Sequence, residues 1–255
     1  MKHKIAIITG TGMCSQEGFV HQKEEATTTP YGDPSSPLMH TKVDGKIDVI
    51  FLARHGIEHR IPPHRVNYRA NIWALKQAGV ESIFSLSAVG GISELMQTGV
   101  INVPDQVVDY SYGRAHTFFD DELQELHHVD FTNPFTRSLR HILLQASQQE
   151  QIHFVENGTL GVTQGPRLET AAEIERMSKD GCDTVNMTSM PEAALARELG
   201  INYGLLSVVV NRAAGLTQHV ITIEDVLAAR DRAAGKTNQI LLTAVRLLTE
   251  QEKKK

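Results

Sequence analysis

The chain predicts an α/β fold built on a largely parallel, buried sheet. Short apolar runs alternate with segments of helical periodicity. Several of those runs are apolar at successive positions, as in strands covered on both faces. Small polar residues and glycines follow them, and open α/β sheets hold their ligands beyond the carboxyl ends of strands.

Lys4 to Thr9 (KIAIIT) reads as a buried strand entering a glycine turn, and Ile47 to Ala53 (IDVIFLA) as a second. Val66 to Ala78 carries Val66, Ala70, Trp73 and Ala74 on one helical face, with Gly79 as its stop. Ser82 to Ser87 is a third strand, running into Gly90-Gly91, and Val103 to Asp109 a fourth. Asn133 to Gln149 is a helix starting near Pro134, and the Asn157-Gly158 turn precedes a strand at Thr159 to Thr163. Thr170 can cap a helix over Ala171 to Lys179, closed by Gly181. Thr184 to Thr188 is a strand, Pro191 to Glu198 a helix ended by Gly200, and Tyr203 to Val210 a strongly apolar strand. Ile223 to Arg230 and Asn238 to Thr249 read as the last two helices. Tyr110 to Asp130 has the least periodicity and is expected to be a long functional or oligomer-contact excursion.

At 255 residues the chain reads as a single domain, 1–255, with a short basic tail at about 251–255. A net charge of −5 gives no basis for nucleic-acid or membrane-surface binding. The apolar run near the N-terminus is too short for a membrane span, and two cysteines, Cys14 and Cys182, cannot make a disulfide framework. A reducing compartment, the cytoplasm, is expected.

The chemistry gathers at strand ends. Thr9-Gly10-Thr11-Gly12 offers backbone amides and hydroxyls to an anion, but Ser15 stands where a dinucleotide fingerprint needs its third glycine. Arg54-His55 ends the second strand, and a guanidinium suits phosphate oxygens. Taken alone the pair could equally be a surface ion pair. Ser87-Ala88 and Thr188 add small donors at two more strand ends. Together these groups fit a free phosphate dianion. His127, His128 and Asp130 lack the second ligand pair that a metal site would need, so no metal is assigned.

The segments ARHGIEHRIPPHRVNYRANIWAL, SAVGG, GVTQGPRLETAAEIE, NMTSMPEAALARE and VVVN resemble the family of trimeric purine nucleoside and methylthioadenosine phosphorylases over nearly the whole chain. The resemblance implies a three-layer fold with a central mixed sheet flanked by helices, a homotrimer, and no cofactor beyond the phosphate co-substrate. It places Thr11, Arg54, His55, Ser87, Ala88 (through its backbone) and Thr188 at phosphate, and Met187 under the sugar. Glu169 and Asn211 match the catalytic base-binding pair of 6-oxopurine enzymes, and His128 a residue lent by a neighbouring subunit to the sugar pocket. Read without the resemblance, Asn211 could be a strand-end cap and Glu169 a carboxylate complementing a helix dipole.

Two departures bear on substrate. Methylthioadenosine phosphorylases carry aspartates at the positions of Asn211 and Ala213 and a serine at Glu169, so the base-reading residues here are those of the oxopurine branch. Ile223 stands where ordinary purine nucleoside phosphorylases place a histidine near the 5′-hydroxyl, with Val220 and Ile221 nearby. An apolar pocket favours a methylthio group. The combination resembles the bacterial S-methyl-5′-thioinosine phosphorylases, with inosine/guanosine and methylthioadenosine cleavage as the alternatives. The resemblance thus implies a pentosyltransferase of purine salvage whose partners are a nucleoside and phosphate.

Overall fold

The computed structural model describes residues 3–10, 17–120, 127–218 and 220–254, with only the backbone of Ile223. Within them the chain order is β1 (Ile5–Thr9), β2 (Phe19–Glu25), β3 (Leu38–Val43), β4 (Ile47–Ala53), α1 (Tyr68–Gln77), β5 (Ser82–Gly91), β6 (Ile101–Asn102) and β7 (Gln106–Asp109). It continues with α2 (Arg137–Gln149), β8 (Phe154–Val155), β9 (Thr159–Val162), α3 (Ala171–Lys179), β10 (Thr184–Asn186), α4 (Ser189–Glu198), β11 (Asn202–Arg212) and α5 (Ile223–Glu252). The strands form one mixed sheet in the order β2-β3-β4-β1-β5-β10-β9-β7, and β11 pairs with both β5 and β6.

Alternation of side chains along each strand divides the apolar residues between two faces. Ile5, Ile7, Phe51, Phe84, Leu206 and Val208 pack with Leu139 and Leu143 of α2 and Ile240, Leu241 and Ala244 of α5. Ala6, Ile8, Ile50, Leu52, Ile83 and Leu205 pack on the other face with Ile72 and Leu75 of α1 and Leu195 and Ala196 of α4. Three layers follow. Each fully buried aliphatic side chain contributes about 1.5–3 kcal/mol, which is why these strands read as continuous apolar runs.

β5 organises the sheet. One edge pairs with β11 along its whole length, broken by a bulge between Val209 and Asn211. The other edge pairs in parallel with β1 from Ser82 to Ser85, then antiparallel with β10 at Gly90 and Gly91. Among the described residues, Leu86 to Val89 have no strand neighbour on that side. The sheet is therefore parted at its centre, beside the ends of β1 and β4.

Several elements differ from the sequence expectations. β2 and β3 form an antiparallel edge that the periodicity does not announce, because β2 (FVHQKEE) is solvent-exposed after Phe19. Of the strand expected from Val103 to Asp109 only Gln106–Asp109 forms, as β7, and the short β6 lies just before the expected range. The two expected last helices are one, α5, running through Gly235. The helix expected from Val66 begins at Tyr68 after a 3-10 turn at Pro63–Arg65, with the Asn67 side chain as its cap. The helix expected from Asn133 begins at Arg137, and β10 ends at Asn186, so Thr188 caps α4 instead of ending a strand. Thr170 caps α3 as expected, in a reciprocal capping box with Glu173. No described helix is long and apolar enough to cross a membrane.

Two glycines give opposite expectations. A Cβ on Gly91 would lie 1.8 Å from the Met96 carbonyl oxygen, whereas one on Gly235 meets nothing within 4 Å. Gly91→Ala should destabilise by at least about 2 kcal/mol. Gly235→Ala, inside a helix, should stabilise by about 0.5–1 kcal/mol. Denaturant melts of both variants check the pair; a neutral Gly91→Ala would contradict the packing described.

Candidate active site

The parted edge of β5 opens into a cavity of about 500 Å³. Its walls include Gly10 after β1, Arg54 and His55 after β4, Ser87 and Ala88 of β5, and Thr188 at the head of α4. Residues distant in sequence thus meet in one place: Gly10, Arg54 and His55 follow strand ends, whereas Ser87 and Ala88, expected at the end of a strand, lie inside β5, which runs on to Gly91. Thr11 lies outside the described residues.

Arg54 is only 1 % exposed and its guanidinium is almost fully committed inside the protein. Nε donates to Glu192 Oε2 at 2.6 Å, and Nη2 donates to Glu192 Oε1 at 2.8 Å and to Ser85 Oγ at 2.6 Å. Nη1 donates to the Leu86 carbonyl at 3.3 Å, on the unpaired edge of β5. Of the five N–H groups, one on Nη1 remains for a ligand. The guanidinium fork holds Glu192 and leaves a single Nη1 N–H uncommitted in a residue that lines the cavity.

Glu192 is fully buried in α4. Burial disfavours its charge, but the Arg54 guanidinium and hydrogen bonds from Arg54, Tyr203 and Ser85 outweigh it and hold the carboxyl below its ordinary pKa. Burial and then the charge of Glu192 keep the Tyr203 phenol protonated, so its hydroxyl donates to Glu192 Oε1 at 2.7 Å. Sequence reasoning missed Glu192, Ser85 and Tyr203. The available signal was a lone carboxylate on the apolar face of PEAALARE.

The small donors are held by a second network. Asn186 Nδ2 donates to Ser87 Oγ and to Ser189 Oγ, both at 2.8 Å, while its Oδ1 accepts from the Thr188 amide at 3.3 Å. Ser87 Oγ therefore accepts on one side, and its own hydrogen is available beyond a long 3.3 Å contact to the Ala88 carbonyl. Thr188 is 6 % exposed, and its hydroxyl has no partner among the described residues. Asn186 was not singled out from sequence.

Met187, Glu169 and Asn211 line the same cavity. Gly165, at φ +59°, lets Met187 approach, because a Cβ there would sit 2.5 Å from Met187 Sδ. Glu169 Oε1 accepts from Thr163 Oγ1 at 2.6 Å, which fixes the carboxylate while leaving its other oxygen open. The β11 bulge aims Asn211, whose Nδ2 donates to the Arg212 carbonyl at 2.8 Å. Ile221, Val226 and Leu227 supply an apolar wall. Val226 and Leu227 were not expected there; Val220, which was expected near, is 84 % exposed. The Ile223 side chain lies outside the described residues.

The long excursion has no strand or helix in its described parts and is tied to segments that neighbour the cavity-lining residues in sequence. Arg114 Nη2 donates to the carbonyls of Thr163 and Gln164, and its Nη1 to that of Met190. It thus pins the loops that carry Glu169 and Met187. His128 is exposed and does not reach the cavity of its own chain.

Comparison with known proteins agrees with this architecture. A family model described as "Phosphorylase superfamily" matches residues 4–246. A probable S-methyl-5′-thioinosine phosphorylase of Pseudomonas syringae pv. tomato is 51% identical over 92% of this chain and 96% of its own length. The 6-oxopurine nucleoside phosphorylase of Pyrococcus furiosus is 38% identical over 98% of this chain and 95% of its own. The structure of methylthioadenosine phosphorylase from Schistosoma mansoni in complex with adenine superposes with a TM-score of 0.92 at 32% identity, covering 97% of this chain and 92% of that one.

The buried pair predicts an asymmetry. Glu192→Ala leaves a guanidinium without its counter-charge and should cost about 3–5 kcal/mol of stability. Lys179→Ala, which breaks the exposed pair with Glu175, should change it by less than about 0.5 kcal/mol. Urea unfolding of the two variants measures both, and similar losses would contradict the role given to Glu192.

Proposed function

The chain belongs to the phosphorylase superfamily, and on that premise we propose that it is a nucleoside phosphorylase, a pentosyltransferase that cleaves S-methyl-5′-thioinosine with inorganic phosphate. The products are hypoxanthine and 5-methylthioribose 1-phosphate. One observation carries the reading: a single cavity joins a cradle of small donors, Met187, the Glu169–Asn211 pair and an apolar wall. The named relatives support the same activity, and the oxopurine enzyme of Pyrococcus furiosus supports inosine or guanosine as the alternative substrate.

The roles follow from the chemistry. Phosphate sits against Ser87, the Ala88 amide, Thr188, His55 and the free N–H of Arg54, with Thr11 assigned beside them by resemblance. From there an oxygen attacks C1′ of a ribosyl cation held over Met187. The C1′–N9 bond breaks with its electron pair passing to the purine, and a hydrogen bond from Asn211 to N7 or O6 eases that charge. Ionised Glu169 only accepts, so it pairs with N1–H of an oxopurine and faces a bare lone pair on adenine. Ile221, Val226 and Leu227, with Ile223 beside them, receive the methylthio group. We assign a cytoplasmic homotrimer in which His128 of a neighbouring subunit completes the sugar pocket. No metal is assigned a role.

Turnover of methylthioinosine should require phosphate, and Arg54→Ala should raise the phosphate requirement sharply, since a charged hydrogen bond is worth about 1.5–3 kcal/mol. Equal cleavage in phosphate-free buffer would point to a hydrolase. Methylthioinosine should also exceed methylthioadenosine by up to roughly 10⁴-fold in kcat/KM, as sites that hydrogen-bond their substrate reject mismatched analogues. Asn211→Asp should weaken oxopurine turnover. Equal or better use of the adenosine compound by the unaltered enzyme would refute the base assignment and leave phosphorolysis intact.

A further inference from the structure

The hydrogen-bond polarity of His55 is fixed by the fold. Its Nδ1 lies 2.7 Å from the Ile61 carbonyl oxygen, and the Ile61 amide donates back to the His55 carbonyl at 3.0 Å. A carbonyl oxygen only accepts, so Nδ1 must carry the hydrogen. In the neutral ring Nε2 is then a bare acceptor, and it has no partner among the described residues. His55 is 8 % exposed and forms part of the cavity wall beside Arg54.

The groups around the ring keep it neutral. Arg54 adjoins it in sequence, and the His59 ring is 4.6 Å away, centroid to centroid. Burial first, and then the positive charge of Arg54, depress the imidazole to about 4, against smaller opposing effects of the Ile61 carbonyl and Glu192. The charge of Arg54 is itself matched by Glu192. The cradle thus carries no net charge before an anion enters, and it faces that anion with one acceptor among donors.

We infer that His55 accepts a hydrogen bond from the protonated oxygen of hydrogen phosphate, selecting a proton-bearing anion and turning an unprotonated oxygen toward the sugar. The inference rests on the phosphorylase reading and deepens it. When C1′–O forms and C1′–N9 breaks, the purine leaves as its anion and takes a proton from water to become hypoxanthine, while the phosphate hydrogen stays on the oxygen facing His55 and the sugar phosphate leaves monoprotonated. Arsenate carries the same proton and fits. Sulfate has none at neutral pH, so its oxygen lone pairs would oppose the lone pair of Nε2.

Calorimetric titration of the enzyme with phosphate and with sulfate tests this. Phosphate should bind at least about tenfold more tightly than sulfate, the value of one hydrogen bond that is made or left unmade. In His55→Gln, whose amide can donate to either anion, that preference should shrink by about tenfold. Imidazole ¹⁵N NMR of the unaltered enzyme supplies a second readout: Nε2 should remain unprotonated when phosphate is added. Equal affinity for the two anions, an unchanged preference in His55→Gln, or a doubly protonated ring in the phosphate complex would each overturn the inference while phosphate-dependent cleavage persists. Cleavage that proceeds equally without phosphate would bring down the phosphorylase reading and the His55 assignment with it.

Discussion

The site depends on a buried ion pair. Arg54 and Glu192 are 1 % and 0 % exposed, joined by two short hydrogen bonds, with Ser85 and Tyr203 satisfying what remains of the carboxylate. Removing two charges from water is costly, and the arrangement persists because nearly every donor and acceptor is matched. Its consequence is geometric. The pair ties the end of β4 to α4 and to β5 and β11, so elements on both sides of the parted sheet are held in register. An arginine fixed this way cannot swing to meet a ligand; it contributes one N–H from a set position.

The parting of the sheet is the second constraint. A continuous β5 would spend its backbone groups on strand neighbours. By exchanging β1 for β10 midway, the strand leaves Leu86 to Val89 without a strand neighbour on one edge among the described residues. One carbonyl of that stretch accepts from Arg54, and the Ser87 hydroxyl is held by Asn186. The anion end is therefore made of small groups oriented by a second layer of polar contacts. Such preorganised donors suit charge that stays put while a bond breaks nearby.

Much of this was legible in the sequence, for identifiable reasons. Buried parallel strands appear as apolar runs, so β1, β4, β5 and β11 could be read directly. Capping chemistry marked α3 through Thr170. The exposed edge strand β2 carries almost no apolar pattern and could not be read. The break expected between Arg230 and Asn238 is absent because packing carries α5 through it: Ala233 on one side and Ile240 and Leu241 on the other are buried against the sheet. In the site, Arg54, Ser87 and Thr188 could be collected because each follows or ends an apolar run in the sequence, although Ser87 lies inside β5 and Thr188 heads α4. Their partners Glu192, Asn186 and Tyr203 could not, because a supporting contact across 138 residues leaves no local trace.

A crystal structure of the enzyme with phosphate and a non-cleavable methylthioinosine analogue tests the central claim most directly. The account predicts the anion at the parted edge of β5, against Ser87, the Ala88 amide and Thr188. Arg54 should contribute through Nη1 alone and retain both hydrogen bonds to Glu192. An anion bound elsewhere, or gripped by both arms of an Arg54 that has released Glu192, would contradict it.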